Sequence, residues 1–378
     1  MKLNTRSYDS KEDKNPQRLR SIDALRGFDM FWIMGAGTFL AQVAEITGTP
    51  FWASLAVQFE HPYWNGFTFW DIIFPLFMFL SGLSSPFSIA NQLKKGRTKK
   101  QILLKVVRRG FILVLLGIIY NAHGLVLKGP GDYRYASVLG KIGLSYLFAN
   151  IIYLYARPAM QIFWFWFFLI GYWLLLKFTS APGFPPGDLS EAGNFMSYFD
   201  RHVLPGKLSR GIHDTVGLLC TITGVATTLS GVITGHFLKD HAAAPVKKVI
   251  YFALTGFLLI GLALIWNIDF PVNKNLWSSS YVLLTSGISL LLFSLFYFVI
   301  DVKGMYRWSF FFRVIGMNSI FIYLSPVFID YAYTTKSLFQ WAGQLAGAYE
   351  APVITLFSVV VAWFLLYFLY NRGVFLRV

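Results

Sequence analysis

Cysteine is nearly absent: Cys220, inside an apolar run, is the single one in 378 residues. One thiol excludes an intramolecular disulfide and any metal site built on several cysteines. Charge is scarce too. Asp, Glu, Lys and Arg together make up 13% of the chain, where soluble domains carry about 25%. There is no Gly-x-Ser-x-Gly elbow, no Walker A loop and no His-Glu-x-x-His pair. Hydrolase, ATPase and metalloprotease readings therefore lose their usual signatures, and no metal is implied. No small-residue cleavage site follows the first apolar run, so a cleaved signal peptide is not expected. An internal repeat and a low-complexity tract are also missing, which weighs against repeat-built transporter folds.

What the chain does have is hydrocarbon. Hydrophobic residues reach 56% and aromatics 19%, and the mean hydropathy is +0.54. These values predict an all-α, polytopic transmembrane bundle with aromatic belts at both interfaces. Apolar windows of about 20 residues, enough to cross a bilayer, fall near 24–44, 67–90, 109–127, 137–155, 160–178, 213–237, 248–266, 278–300, 311–329 and 351–371. That makes about ten spans with both termini on one side. The net charge of +15 in a soluble chain would suggest nucleic acid, but here the cations gather between apolar runs. With the N-terminus inside, 24 of the 33 Lys and Arg lie in inner segments, so both termini are expected in the cytoplasm of an inner membrane. Residues 1–20 read as a disordered basic tail and 21–378 as one membrane domain.

The informative stretch is Glu60-His61-Pro62-Tyr63-Trp64-Asn65-Gly66-Phe67-Thr68-Phe69-Trp70-Asp71. It sets a His and an Asn just outside a span and a carboxylate about one turn inside. An Asp in hydrocarbon costs about 2.5–3.5 kcal/mol even on lenient insertion scales, so the position calls for a task. His61 is either an idle interfacial residue or an acid–base group oriented by Asp71. Asp71 has a second reading, as a structural partner of Lys141, and the two are compatible. The run Phe51–Phe59 before it reads as a short interfacial helix. The long outer loop 179–212, with Ala181-Pro182-Gly183-Phe184-Pro185-Pro186-Gly187, reads as a cap over an outer site.

Other polar groups carry two readings each. Asp23 and Arg26 share a helix face and can pair. Arg26 is either a positive-inside anchor or, with Arg108 and Arg109, an inner phosphate rim. Asp214 reads as a helix N-cap or a substrate ligand. Trp277 reads as a belt residue or, with Asn275, as a stacking face and polar edge for a sugar. Asn318 is placed to bond a neighbouring helix or a ligand.

Four motifs in order, Ser21-Ile22-Asp23-Ala24-Leu25-Arg26-Gly27, His61…Trp64-Asn65-Gly66…Asp71-Ile72-Ile73-Phe74-Pro75, Pro271-Val272-Asn273-Lys274-Asn275-Leu276-Trp277-Ser278 and Gly316-Met317-Asn318-Ser319-Ile320, resemble the heparan-α-glucosaminide N-acetyltransferase family from about residue 18 onward. The resemblance implies acetyl transfer from cytosolic acetyl-CoA, as co-substrate, to a glucosamine amine across the membrane. The family's active-site histidine falls on His61, and its Asp-x-x-Gly on Asp214–Gly217. His61 and Asp71 are then catalytic, Asn65, Asp214, Asn275 and Trp277 meet the acceptor, and Arg26, Arg108, Arg109, Lys141 and Asn318 meet the donor. The chain departs from the family at Gly140-Lys141, where Gln-Arg is frequent, and in the loop before His61. The acceptor is thus expected to be a free amino sugar or cell-wall fragment rather than a heparan chain. The competing reading is a proton-coupled amino-sugar permease working through Asp71 and His61. A homodimer within the bilayer is compatible with the aromatic faces.

Overall fold

The computed structural model describes residues 19–123, 129–240 and 243–376. The expected tail falls outside these residues up to Arg18. Among the described residues there is no β-strand, only one isolated antiparallel bridge, Arg134 to Gly206.

Helix α1 (Arg20–Phe31) passes through a π-helical turn, Trp32–Ala36, into α2 (Gly37–Thr47). Gly35 takes φ +135° in that turn, a conformation open to glycine alone. Gly48, at φ +59°, closes α2 in the left-handed conformation. Pro50 then starts the short α3 (Pro50–Val57), which realises the helix read from the Phe51–Phe59 run. A single 3₁₀ turn, Phe69–Ile72, leads into α4 (Ile73–Lys94). Helix α5 (Lys99–Asn121) opens on a reciprocal box: Thr98 Oγ1 accepts from Gln101 N, and Gln101 Oε1 accepts from Thr98 N. There follow α6 (Val138–Tyr155), capped by Ser137, α7 (Pro158–Phe178), α8 (Phe195–Val203), capped by Asn194, and α9 (Thr221–Lys239). The chain ends in α10 (Pro245–Trp266), α11 (Ser279–Phe296) with a π-helical extension Tyr297–Val302, α12 (Phe310–Met317), α13 (Ser319–Leu324), α14 (Tyr331–Leu345) and α15 (Glu350–Asn371).

Among the described residues, seven helical stretches are long and apolar enough to cross a membrane, eight if the pair Phe310–Met317 and Ser319–Val327, bent by 71° at Asn318, is one broken span. Of the ten expected windows, 109–127 and 213–237 do not meet this measure of length and composition. Each coincides in part with a helix, α5 up to Asn121 and α9 from Thr221, whose residues are not uniformly apolar. Every 18-residue stretch of α5 holds at least three of Lys99, Lys100, Lys105, Arg108 and Arg109. Helix α9 is built of Thr, Ser and Gly and is buried along most of its length. A helix surrounded by protein needs no apolar coat, so hydropathy alone undercounts it. Its start also moves, from the expected 213 to Thr221.

The chain divides into two compact units. The first holds residues up to His61, then Thr68–Ile73, then from Leu292 onward; the second holds Pro62–Phe67 and Phe74–Leu291. In the first unit α1 lies against α12 at van der Waals distance. A Cβ on Gly27 would sit 1.7 Å from the Phe312 carbonyl oxygen, and one on Gly316 would sit 1.9 Å from that of Asp23. Helix α15 is tied to α2 by Thr355 Oγ1 donating to Gln42 Oε1 at 2.8 Å.

In the second unit the centre is α9. Gly231 and Gly235, one turn apart, lie under the Phe79 and Leu83 carbonyls of α4, and Gly82 of α4 lies under the Thr228 carbonyl. These small-residue contacts let backbones approach as membrane helices do. Helices α5 and α6 meet the same way at Gly110 and Gly143.

Candidate active site

The first unit carries the pair singled out from sequence. His61 Nδ1 lies 2.7 Å from Asp71 Oδ1. Asp71 is fully buried, whereas the His61 side chain is 45% exposed, so the carboxylate is fixed and the ring is reachable. The fixing is local. Thr68 and Asp71 form a capping box at the 3₁₀ turn, with Thr68 N and Oγ1 on Asp71 Oδ2 at 3.1 and 3.4 Å. Thr68 Oγ1 also lies 2.7 Å from the Glu60 carbonyl oxygen, which ties the residue before His61 to the same turn. Gln58 O accepts from Trp70 N at 2.9 Å. Asp71 therefore stands at the mouth of its helix, as the residue that begins it, rather than a full turn inside. One oxygen starts the helix and the other holds an imidazole, an arrangement that places the ring proton on Nδ1 and the basic lone pair on Nε2.

The second unit carries the amides. Asn273 Nδ2 donates to Asn65 Oδ1 at 2.9 Å, while Asn273 Oδ1 accepts from Leu276 N at 2.8 Å. Asn275 Nδ2 reaches the Tyr63 and Trp64 carbonyls at 3.3 and 3.2 Å. The loop 62–66 is fastened further by Trp64 Nε1 on Leu189 O and Arg210 Nη1 on Tyr63 O, so the long loop 179–212 does hold this segment. Asn65 remains exposed; Asn275 is buried. Asn273 was legible in the motif Pro271–Ser278 but not as a group with its own role. Its signal was spacing, two amides flanking Lys274.

Behind these amides lies a polar interior. Trp277 adopts φ +53°, rare for a bulky residue, and is completely buried. Its indole nitrogen donates to Thr227 Oγ1 at 3.1 Å and its carbonyl accepts from Thr223 Oγ1 at 2.8 Å. Lys141 Nζ lies over the indole at 3.6 Å from the ring centroid and donates to Cys220 Sγ at 3.0 Å. The sugar-stacking face read for Trp277 is thus occupied by the protein's own ammonium. What the sequence presented as a belt residue is the plate on which a buried lysine rests.

Asp214 is not the cap of α9. Arg134 grips it with two bonds, Nε to Oδ2 at 2.8 Å and Nη2 to Oδ1 at 2.7 Å, and Ser209 N and Val216 N complete it. Its role here is to close the loop ahead of α9. Gly217, last in the Asp-x-x-Gly motif, has its own reason: a Cβ there would come within 1.7 Å of Asp200 Oδ2. Asp200 Oδ1 accepts from Leu218 N and Leu219 N. Burial nevertheless raises its carboxyl to about 6. His213, bonded through Nδ1 to Ser197 Oγ at 2.7 Å, is pushed the other way by burial, down to about 4. Arg134, Asp200 and Ser197 had no motif to mark them; only the fold brings them here.

Of the donor-side residues, Arg26 and Asn318 belong to the first unit and Arg108, Arg109 and Lys141 to the second. Arg26 pairs with Asp23 at 3.6 Å, as their spacing predicted. Arg108 is exposed, and Arg109 lies over the Tyr146 ring at 4.4 Å. Asn318 bonds within its own unit, its amide reaching Val374 O at 3.1 Å and Leu376 N at 3.0 Å, which fixes the break between α12 and α13.

Residues 18–200 match the family model for heparan-alpha-glucosaminide N-acetyltransferase, catalytic. The chain resembles that enzyme. It is 28% identical to heparan-alpha-glucosaminide N-acetyltransferase of Homo sapiens over 96% of its own length, and 27% identical to that of Mus musculus over the same share. The chain spans 60% of the length of each of these relatives. The resemblance read from the motifs is thereby borne out. The stretch matched by the family model takes in His61, Asn65, Asp71, Lys141 and Asp200, and leaves Asp214, Asn275, Trp277 and Asn318 beyond its end.

Proposed function

We propose that the protein is a membrane-embedded acetyltransferase that moves the acetyl group of cytosolic acetyl-CoA to the amine of glucosamine, or of a glucosamine-terminated sugar, on the far side of a bacterial inner membrane. The observation that carries the reading is the His61–Asp71 bond at 2.7 Å, with the imidazole exposed and the carboxylate buried. A ring so held is a general base in search of an acidic proton, here that of the acceptor ammonium.

The chemistry is acyl transfer. The neutral amine attacks the thioester carbonyl, the C–N bond forms, and the tetrahedral intermediate expels the CoA thiolate as the C–S bond breaks. His61 passes the first ammonium proton to solvent, which leaves the neutral amine, then takes the second from nitrogen and returns it to sulfur. Asp71 is the positioning residue, holding the tautomer and the developing imidazolium. Transient acetylation of His61 itself is the alternative order of events, with the ring as nucleophile. Asn65, whose side chain is exposed, is assigned to the sugar hydroxyls, while Asn275 spends its amide hydrogens on the Tyr63 and Trp64 carbonyls and shapes the loop that carries Asn65. A membrane location suits two substrates on opposite sides, since the acetyl group crosses while CoA does not.

The test is acetyl transfer from radiolabelled acetyl-CoA to glucosamine by purified protein, beside sugar uptake into liposomes. Label on the sugar amine supports the transferase. Uptake that needs no acetyl-CoA, with no transfer to any amino sugar, supports the permease instead.

A further inference from the structure

The end of the second unit opposite the Asn65–Asn275 group contains two adjoining cavities, of about 420 and 330 Å³, which share Pro158, Gln161, His236 and Lys239 in their walls. Lys94, at the end of α4, and Lys99, at the start of α5, join Lys239, at the end of α9, around them. Lys94 and Lys99, on either side of one short turn, thus meet His236 and Lys239 from a helix far along the chain. A row of inner-face lysines anchors a membrane protein; these also border an open hollow, with Lys94, Lys99 and His236 exposed around it. One wall is aromatic, with Tyr153 set edge-on to His236 at 6.1 Å. The back is formed by Gln161, 2% exposed, whose Nε2 bonds to Ala156 O at 3.2 Å. Asp240 brings one carboxylate to the rim, its carbonyl being held by Lys248 Nζ.

We propose that this cavity pair binds the nucleotide end of the acyl donor, with its phosphates on Lys94, Lys99, His236 and Lys239. The inference rests on the acetyl-CoA reading above and moves the donor's charged end from the expected Arg26, Arg108 and Arg109. The mixture of charges selects the ligand. A carboxylate beside three lysines and an imidazole disfavours a bare polyanion and suits a phosphate ester that also carries an amino-bearing ring, for which Tyr153 offers a face. Helix α6 leads inward from the cavity: Tyr153 stands at its wall, and the turns beyond it, with Tyr146, are packed into an apolar core with Ile89, Ile102, Val106 and Leu154, so the cavity holds the charged end of a ligand at the surface of the unit.

The same phosphate chemistry is offered by an anionic lipid headgroup, so the experiment separates the two. Lys99→Gln, Lys239→Gln and His236→Ala are prepared in nanodiscs of phosphatidylcholine, with and without phosphatidylglycerol, and their thermal midpoints are compared with the wild type. Acetyl-CoA kinetics and binding of adenosine 3′,5′-bisphosphate are then measured. The expected result is a KM for acetyl-CoA raised about tenfold or more at unchanged kcat and unchanged midpoint, with adenosine 3′,5′-bisphosphate binding lost in both lipid compositions, as removal of a charged hydrogen bond requires. Unchanged KM and nucleotide binding in variants of an active enzyme overturn the inference and leave the acetyltransferase standing. An effect present only with phosphatidylglycerol also overturns it and assigns the cavity to lipid. If the wild type transfers no acetyl group yet binds the bisphosphate through these residues, the site survives and the acetyltransferase reading falls.

Discussion

At the scale of the residue, the account turns on carboxylates placed where a second group decides their state. Asp71→Asn keeps the cap at Thr68 but loses the charge behind His61. The expected outcome is a kcat lowered about 10²-fold or more with KM for acetyl-CoA unchanged, read in a steady-state transfer assay. Asp200 and His213 give a different test, of stability. Asp200 titrates at about 6 in the fold against an ordinary 3.8. The folded state therefore holds an extra proton between those values, and stability is lost as pH rises through that window. His213, at about 4 against 6.5, binds fewer protons when folded, and its contribution is lost as pH falls. The two slopes oppose each other, each on the order of 1–3 kcal/mol. Asp200→Asn removes one of them. Its thermal midpoint in detergent is expected to fall steeply from pH 6.5 to 4, where the wild type stays nearly level. A level profile in the variant contradicts the opposed pair.

At the scale of the element, close backbone approach holds the second unit together. A Cβ at Gly231 would lie 2.0 Å from the Phe79 carbonyl oxygen. Backbone cannot yield as a side-chain tip can, so Gly231→Ala is expected to cost about 1–3 kcal/mol or more. The thermal midpoint checks this, with Gly261→Ala, which meets nothing within 4 Å, as the control. This scale also shows what the sequence carried. Long apolar helices such as α7, α10 and α15 were legible because lipid-facing surfaces demand a uniform apolar coat. Helix α9 was placed but misjudged at its start, since its Thr, Ser and Gly record neighbours rather than lipid. His61 and Asp71 were legible as a pair because they lie within eleven residues, whereas the capping box that Thr68 forms with Asp71 was not read. Lys141 on Trp277 was not, because 136 positions separate them and neither residue advertises the other. Trp277 misled for the same reason: an aromatic next to a span reads as a belt until its burial is known.

At the scale of the whole molecule, composition decided the class and charge decided the expected sides. The lone thiol makes the topology directly testable. Cys220 is buried, so with Cys220→Ala as background, single cysteines can report which face each loop meets. Cysteines at Lys95 and at Ser190 are expected to label with an impermeant maleimide from opposite sides of oriented vesicles, Lys95 from the cytoplasm. Labelling of both from one side contradicts the orientation on which the reaction across the bilayer depends.

The most direct test of the central claim is a single-turnover measurement of acetyl transfer to glucosamine by His61→Ala beside the wild type, with matched thermal midpoints. The account predicts transfer by the wild type and a rate lowered about 10²–10⁴-fold in the variant, the usual worth of a positioned acid–base group. A variant that transfers acetyl at the wild-type rate contradicts it, and moves the chemistry away from His61 and its carboxylate.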